Sequence, residues 1–68
     1  MTTVLIHGLG LIGSSLALAI KGAHPDVTIV GSDVRSTSLT YAQQHQIVDE
    51  VVRDFSIAAP QADVIILA

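Results

Sequence analysis

Short apolar stretches alternate with polar turns along the chain, and their spacing predicts strands alternating with helices. Residues 3–7 form a β-branched and apolar run, which is typical of a strand buried on both faces. In residues 11–21 the apolar positions recur at helical spacing, and Gly13 and Ala17 place two small residues in one column. A helix with such a column can lie close against a strand.

Two stop signals follow this first helix. Gly22 and Pro25 are expected to end it, and residues 27–30 predict a second strand that closes with the sequence G-S-D. The hydroxyl side chains of residues 36–38 each offer an N-cap for a second helix running to about His45. Its polar outer side predicts a weak helix.

The second half of the chain predicts two more strands. Residues 47–52 hold two apolar pairs split by two acids, which fits a short edge strand better than a central one. Asp54 or Ser56 can cap one further helical turn, which Pro60 is expected to end. Residues 64–68 are the most strand-like run in the chain.

This order of elements predicts an α/β fold with a parallel sheet and right-handed crossovers. Four strands in the order 3-2-1-4 form the first mononucleotide half of a Rossmann fold. The last strand then lies beside the first, so that its carboxyl end faces the loop that follows the first strand.

Composition narrows the class of protein. The chain has 68 residues, so it holds one domain at most, and half of its residues are apolar while only Tyr41 and Phe55 are aromatic. A net charge of −3 with scattered basic residues leaves no footprint for nucleic acid. The absence of cysteine agrees with a reducing compartment, and we expect a cytoplasmic protein.

The apolar residues 4–20 raise the possibility of a signal peptide or a membrane span. No Lys or Arg precedes this run, and three glycines and a histidine interrupt it, which argues against a signal peptide. A membrane span needs about 20 predominantly apolar residues, and residues 21–25 close the run too early. We therefore expect no membrane partner.

The candidate chemistry lies in residues 8–13, with the sequence G-L-G-L-I-G between a predicted strand and a predicted helix. Gly8 permits a tight turn, Gly10 lets the backbone approach a pyrophosphate, and Gly13 lets the helix pack on the sheet. The unpaired amides of Leu11, Ile12 and Gly13 are then expected to face the diphosphate. The alternative is a glycine-rich turn that serves helix packing alone.

Asp33 ends the second strand twenty residues after Gly13, where a carboxylate can bind both hydroxyls of an adenosine ribose. This position predicts NAD, and NADP is disfavoured unless Arg35 neutralises its 2′-phosphate. The alternative for Asp33 is an ordinary turn residue. The expected cofactor-binding residues are Gly8, Leu9, Gly10, Leu11, Ile12, Gly13, Asp33, Val34 and Arg35.

The remaining polar residues suggest no catalytic group. His7, His24 and His45 lack the spacing of metal ligands, so no metal is expected. His7 lies directly before the glycine loop and is able to touch a cofactor, but a buried structural histidine is the favoured interpretation. Ser14 and Ser15 can reach a phosphate or bond to the preceding helical turn, and neither has a base beside it.

A more specific pattern than the general glycine fingerprint lies in residues 8–17 (GLGLIGSSLA), 30–33 (VGSD), 47–50 (IVDE) and 62–68 (ADVIILA). With these segments the chain resembles the N-terminal part of the prephenate and arogenate dehydrogenases. The related 3-hydroxyacid and 6-phosphogluconate dehydrogenases usually carry G-x-G-x-M-G instead and are the second choice of family. Ser14 stands where the family often has glycine, and Gln46 stands where glycine commonly ends the second helix, which is expected to strain that helix end.

The resemblance implies an enzyme that oxidatively decarboxylates prephenate to 4-hydroxyphenylpyruvate on the way to tyrosine, with NAD as hydride acceptor. In that family the catalytic histidine and the substrate-binding residues follow the fourth strand, and dimers form through a helical C-terminal domain. Residues 1–68 are thus expected to be an N-terminal, inactive fragment of a homo-oligomeric enzyme. The alternatives are a non-catalytic NAD-sensing module and a product without function of its own.

Overall fold

The computed structural model describes residues 2–68. Its four strands form one parallel sheet, and the first strand along the chain lies between the second and the fourth, with the third beside the second. This order confirms the predicted α/β class and the half Rossmann topology. A 3₁₀ turn at Ala59–Gln61 connects the third helix to the fourth strand. The elements are β1 (Thr3–His7), α1 (Leu11–Ala23), β2 (Thr28–Ser32), α2 (Ser36–Gln44), β3 (Glu50–Val52), α3 (Phe55–Ala58) and β4 (Val64–Leu67).

Strand β1 is central, with β2 on one side and β4 on the other. Backbone bonds continue past the strand ends, because Gly8 N–H donates to the Ser32 carbonyl at 2.8 Å and Ala68 N–H donates to the His7 carbonyl at 2.9 Å. The segments that follow β1, β2 and β4 therefore meet at the carboxyl edge of the sheet, where open α/β folds bind ligands.

The core is aliphatic, as the scarcity of aromatic residues predicts. Leu5, Ile6 and Ile29 in the two central strands are fully buried. Helix α1 contributes Ala17 and helix α2 contributes Ala42 to the buried core, both with no exposed surface. Gly13 is also buried, so the predicted column of small residues lies on the inner side of α1.

Helix α1 extends beyond the predicted stop at Gly22, which lies within the helix. Gly22 does not have a positive φ, so its backbone continues the helix. His24 has left the helical region, with φ −135° and ψ 76°, and it precedes Pro25. A proline disfavours helical backbone in the residue before it, so Pro25 is the effective stop.

The start of helix α2 also differs from the prediction. Arg35 is the N-cap, and Ser36 is already the first helical residue, so none of the three predicted hydroxyl caps is used. The physical reason is a contact just before the helix. The carboxylate of Asp33 accepts the N–H of the N-cap residue Arg35 at 2.9 Å and directs the backbone into the helix. Sequence patterns of caps do not include such a contact.

The end of helix α2 takes the form that the sequence departure at Gln46 indicates. Gln46 has φ 54°, a left-handed conformation that glycine adopts most easily. Its N–H donates to the Gln43 carbonyl at 3.2 Å, and Ile47 N–H donates to the Ala42 carbonyl at 2.9 Å. These two bonds define a Schellman motif, in which buried Ile47 anchors the chain after the helix.

The last connection is partly as predicted. Asp54 caps α3, accepting the Ser56 N–H at 2.9 Å. Pro60 does not end the helical segment, because it lies in the first turn of the 3₁₀ segment, where its fixed φ fits and its missing N–H costs no bond. Strand β3 is at the sheet edge as predicted and shorter than expected. Between residues 2 and 68, no helix has the length and apolar character to cross a membrane.

Candidate functional site

The glycine loop between β1 and α1 has the steric design that its spacing predicts. Gly8 has φ +101°, and a Cβ there would lie 2.6 Å from the Ala68 carbonyl oxygen. A Cβ on Gly13 would overlap the Gly8 carbonyl oxygen. The position of a Cβ on Gly10 has no atom within 4 Å, so the missing side chain leaves open space beside the loop.

No side chain caps the N-terminus of α1. Gly10 is the N-cap and has no side chain, and the first turn holds no acidic residue. The first internal bond runs from Ser14 N–H to the Gly10 carbonyl at 3.0 Å, so the amides of residues 11–13 precede the helical ladder. Three such N–H groups, with the positive end of the helix dipole behind them, form a typical anion site.

Asp33 lies opposite this helix end and is 5% exposed. One carboxylate oxygen accepts the Leu9 N–H at 2.7 Å and the other accepts the Arg35 N–H at 2.9 Å. Burial by itself raises the pKa of Asp33, but the backbone N–H groups of Arg35 and Leu9 outweigh it and hold that pKa below its usual value. The carboxylate is therefore ionised and joins the glycine loop to the end of β2.

The bond to Arg35 shows that Asp33 also acts as a turn residue, as the alternative interpretation holds. The turn leaves the carboxylate with acceptor capacity, because each ionised oxygen has two lone-pair sites and accepts one backbone hydrogen bond. Asp33 can thus hold the loop and still accept hydrogen bonds from a ligand.

A cavity of about 510 Å³ lies between the glycine loop and the end of β2. Every expected cofactor-binding residue except Leu9 lines it. The Leu9 side chain is buried in the core, and only its N–H serves the site through Asp33. The lining residues are His7, Gly8, Gly10, Leu11, Ile12, Gly13, Asp33, Val34, Arg35 and Ala68.

Two cavity residues were not in the expected set. Ala68 follows β4, and its place follows from strand order, since β4 lies beside β1. His7 is half-buried, its Nδ1 lies 2.8 Å from the Ser32 hydroxyl, and its ring centroid lies 5.0 Å from that of Phe55. The position of His7 beside Gly8 was the only sequence signal for it, and that signal favoured a structural role.

Neither helix hydroxyl is directed to the cavity. Ser14 Oγ donates to the Leu9 carbonyl at 3.2 Å and Ser15 Oγ donates to the Leu11 carbonyl at 2.8 Å. Both therefore bond to the preceding turn, the second of the two roles open to them. In the part of the chain that the structure describes, no group of three or more His, Cys, Asp or Glu residues could hold a metal ion.

The arrangement suits an anionic ligand with hydroxyl groups. Uncapped amides at the start of α1 match a diphosphate, and an ionised acceptor across the cavity matches ribose hydroxyls. The open space at Gly10 lets a phosphate approach the backbone closely. The residues present therefore fit a dinucleotide.

Comparison with known proteins also points to a dinucleotide-binding dehydrogenase. The chain is 52% identical over all 68 residues to a prephenate dehydrogenase of Lactococcus lactis subsp. cremoris and covers 19% of that protein. It is 38% identical over 66 residues to a prephenate dehydrogenase of Bacillus subtilis and covers 18% of that protein. The chain thus spans about a fifth of the length of these curated relatives, in their N-terminal portion. No protein-family model matches it.

Two solved structures share the fold. A prephenate dehydrogenase from A. aeolicus, in complex with hydroxyphenyl propionate and NAD+, has a TM-score of 0.87 and 28% identity, over 98% of this chain and 24% of that one. A Synechocystis arogenate dehydrogenase has a TM-score of 0.84 and 30% identity, over 97% of this chain and 23% of that one. The resemblance to the N-terminal part of the prephenate and arogenate dehydrogenases is confirmed.

Proposed function

We propose that this chain is the NAD-binding N-terminal portion of a prephenate dehydrogenase, which converts prephenate to 4-hydroxyphenylpyruvate in tyrosine biosynthesis. The observation that carries the proposal is the uncapped N-terminus of α1, which shares a cavity with the ionised carboxylate of Asp33. The names of the relatives and the NAD+ in the A. aeolicus complex support the same cofactor and reaction. NAD supplies the hydride acceptor, and residues 1–68 hold it.

Each part of the cavity has a proposed task. The amides of residues 11–13 bind the diphosphate, Gly10 leaves room for it, and Asp33 accepts hydrogen bonds from the adenosine ribose. Val34 is 80% exposed beside Asp33 and offers an apolar surface to the adenine base. None of these groups performs chemistry on a substrate, which agrees with a portion that binds the cofactor alone.

Selectivity for NAD over NADP follows from the state of Asp33. Its carboxylate is buried, ionised and held by two backbone bonds, so it cannot turn away from a 2′-phosphate. Bringing the phosphate to this carboxylate places like charges together at low exposure, which is costly. Among the described residues, Arg35 is the only Lys or Arg that lines the same cavity, and its guanidinium can offset that repulsion.

The proposed setting is the cytoplasm, with NAD and prephenate or arogenate as small-molecule partners, in a homo-oligomeric enzyme that binds no nucleic acid. The lack of cysteine supports a reducing compartment. The net charge of −3 supports the absence of a nucleic-acid partner.

A chimera tests the proposed activity. Residues 1–68 replace the matching segment of the Lactococcus lactis enzyme, and prephenate-dependent NAD reduction is followed at 340 nm, the usual wavelength for NADH. We expect activity within about tenfold of the parent enzyme, since a tenfold loss corresponds to about 1.4 kcal/mol. A folded chimera that fails to bind NAD would reject the proposal. The same chimera with Gly10→Asp, which places a negative charge in the diphosphate site, is the matched control.

A further inference from the structure

His7 occupies a position in the cavity that the proposed roles leave without a task. It ends β1 directly before Gly8 and lines the cavity together with Asp33. Its ring is fixed on two sides, by the Ser32 hydroxyl 2.8 Å from Nδ1 and by the Phe55 ring at a centroid distance of 5.0 Å and an angle of 60°. A half-buried imidazole held in this way has one defined orientation.

The bond to Ser32 determines which ring nitrogen carries the proton. Ser32 is fully buried, and within residues 2–68 its hydroxyl has one hydrogen-bond partner, His7 Nδ1. The 2.8 Å contact fits either direction, but a buried hydroxyl needs an acceptor for its proton, so we assign Ser32 Oγ–H as the donor to Nδ1. The neutral ring then carries its hydrogen on Nε2. Across the described chain, Nε2 has no protein partner.

We infer that His7 donates a hydrogen bond from Nε2 to an oxygen of the adenosine diphosphate portion of the bound dinucleotide. The inference rests on the proposed function, because the cavity must first hold a dinucleotide. The chemistry is complementary to that of Asp33, which can only accept bonds and thus takes ribose hydroxyl hydrogens. His7 supplies a donor for ligand oxygens that only accept hydrogen bonds, with which Asp33 cannot bond.

Two substitutions separate this role from a merely structural one. Asn at position 7 places an amide oxygen near the place of Nδ1, so it can still accept the Ser32 hydroxyl but presents no donor at the place of Nε2. Gln places its amide NH₂ near Nε2 and loses the bond to Ser32. The Asn variant thus keeps the acceptor at the place of Nδ1, and the Gln variant keeps the donor at the place of Nε2.

Calorimetric titration of the 68-residue chain with ADP-ribose, which contains the adenosine diphosphate portion, measures the effect. We expect His7→Asn to weaken binding by about 3- to 10-fold, the effect of one net hydrogen bond, while His7→Gln stays within about twofold of the unchanged chain. His24→Asn is the matched control, because His24 lies at the C-cap of α1, outside the cavity lining. It should bind ADP-ribose as the unchanged chain does.

A second measurement needs no variant of His7. In the ¹⁵N-labelled chain, the Nε2 resonance of His7 should shift on addition of ADP-ribose, while the ring resonances of His24 and His45 stay in place. The opposite ranking of the variants, with Gln weakened and Asn unchanged, or a His7 ring unaffected by saturating ADP-ribose, overturns the inference while leaving the proposed function intact. If the unchanged chain fails to bind ADP-ribose at all, both the proposed function and the inference fall.

Discussion

Asp33 combines a structural and a ligand-binding task in one carboxylate, and substitution should reveal both. Asp33→Ala removes the acceptor for Leu9 and Arg35 N–H, which should lower the free energy of unfolding by about 1–3 kcal/mol. It also removes the acceptor proposed for the ribose, so NAD affinity should fall at least tenfold while discrimination against NADP relaxes. Denaturant titration and calorimetry measure the two effects. Unchanged affinity for both cofactors would remove Asp33 from the site.

The protonation of Asp33 gives this carboxylate a pH signature. Its pKa in the folded chain lies below the ordinary value of 3.8, so the folded state favours the charged form. Its contribution to stability is therefore fully present above the unfolded pKa and is lost as pH falls through the lowered folded pKa. In the window below about pH 4, Asp33→Ala and the unchanged chain should converge in stability, whereas at pH 7 they differ.

Gly10 and Gly22 form a natural pair for testing the cavity, because neither has an atom within 4 Å of a would-be Cβ. Gly22→Ala lies inside α1 and should stabilise the chain by about 0.5–1 kcal/mol without changing NAD binding. Gly10→Ala has extended backbone at φ −75°, so it should fold normally, but its methyl group enters the proposed diphosphate site. Its NAD affinity should fall at least tenfold. Equal NAD affinity in the two variants would contradict the proposed position of the diphosphate.

At the scale of elements, Lys21 and Asp49 form a polar clamp at the edge of the sheet opposite the cavity. The clamp ties α1 to β2 and to the turn before β3. Asp49 Oδ2 accepts the Ile29 N–H at 2.7 Å and bonds Lys21 Nζ at 3.0 Å, while Nζ also donates to the Val27 carbonyl at 2.6 Å. The Ile29 N–H, and to a lesser degree Lys21, hold the pKa of Asp49 below its usual value against the opposing effect of burial. The clamp fixes where β2 begins.

The clamp predicts a loss of stability that leaves the cavity intact. Asp49→Ala should lower the free energy of unfolding by about 1–2 kcal/mol, mainly through loss of the backbone bond from Ile29 N–H, since a half-exposed ion pair contributes under about 1 kcal/mol. Thermal unfolding at pH 7 measures it, and the difference should shrink as pH falls through the lowered pKa of Asp49. Lys21→Met removes the cation and its bond to the Val27 carbonyl but leaves the bond between Asp49 and Ile29 N–H, so it should cost less. A greater cost for Lys21→Met would show that the ion pair dominates.

The elements also show which parts of the fold and of the cavity can be predicted from the sequence. The glycine spacing and the apolar runs predicted four strands, their order and all but two of the cavity residues, because periodicity and turn chemistry are local properties. The N-cap of α2 escaped prediction because Asp33 sets it from outside the helix. The Leu9 side chain does not line the cavity because it packs against Gly31, a contact between segments distant in sequence. The cavity position of His7 was not predicted, because its partners Ser32 and Phe55 come from two other elements.

At the scale of the whole molecule, β3 and β4 are the two edge strands of the sheet. Strand β3 at one end is short, and the turn before it is held by the buried residues Ile47 and Val48. Strand β4 at the other end pairs with β1 alone in the described sheet. Val64, Ile65 and Leu67 in β4 are 46%, 43% and 73% exposed, so this edge combines unpaired backbone groups with apolar side chains.

An edge of this kind is a template for pairing with another chain, and we expect the 68-residue chain to self-associate through β4. Sedimentation over a range of concentrations should show a mass that rises above 7.1 kDa. Ile65→Lys, which places a charge on the edge strand, should shift the chain toward monomer. Ile57→Lys changes a side chain that is 61% exposed on α3 and should leave association unchanged. A chain that stays monomeric at millimolar concentration, or equal effects of the two lysines, would show that β4 is not the associating edge.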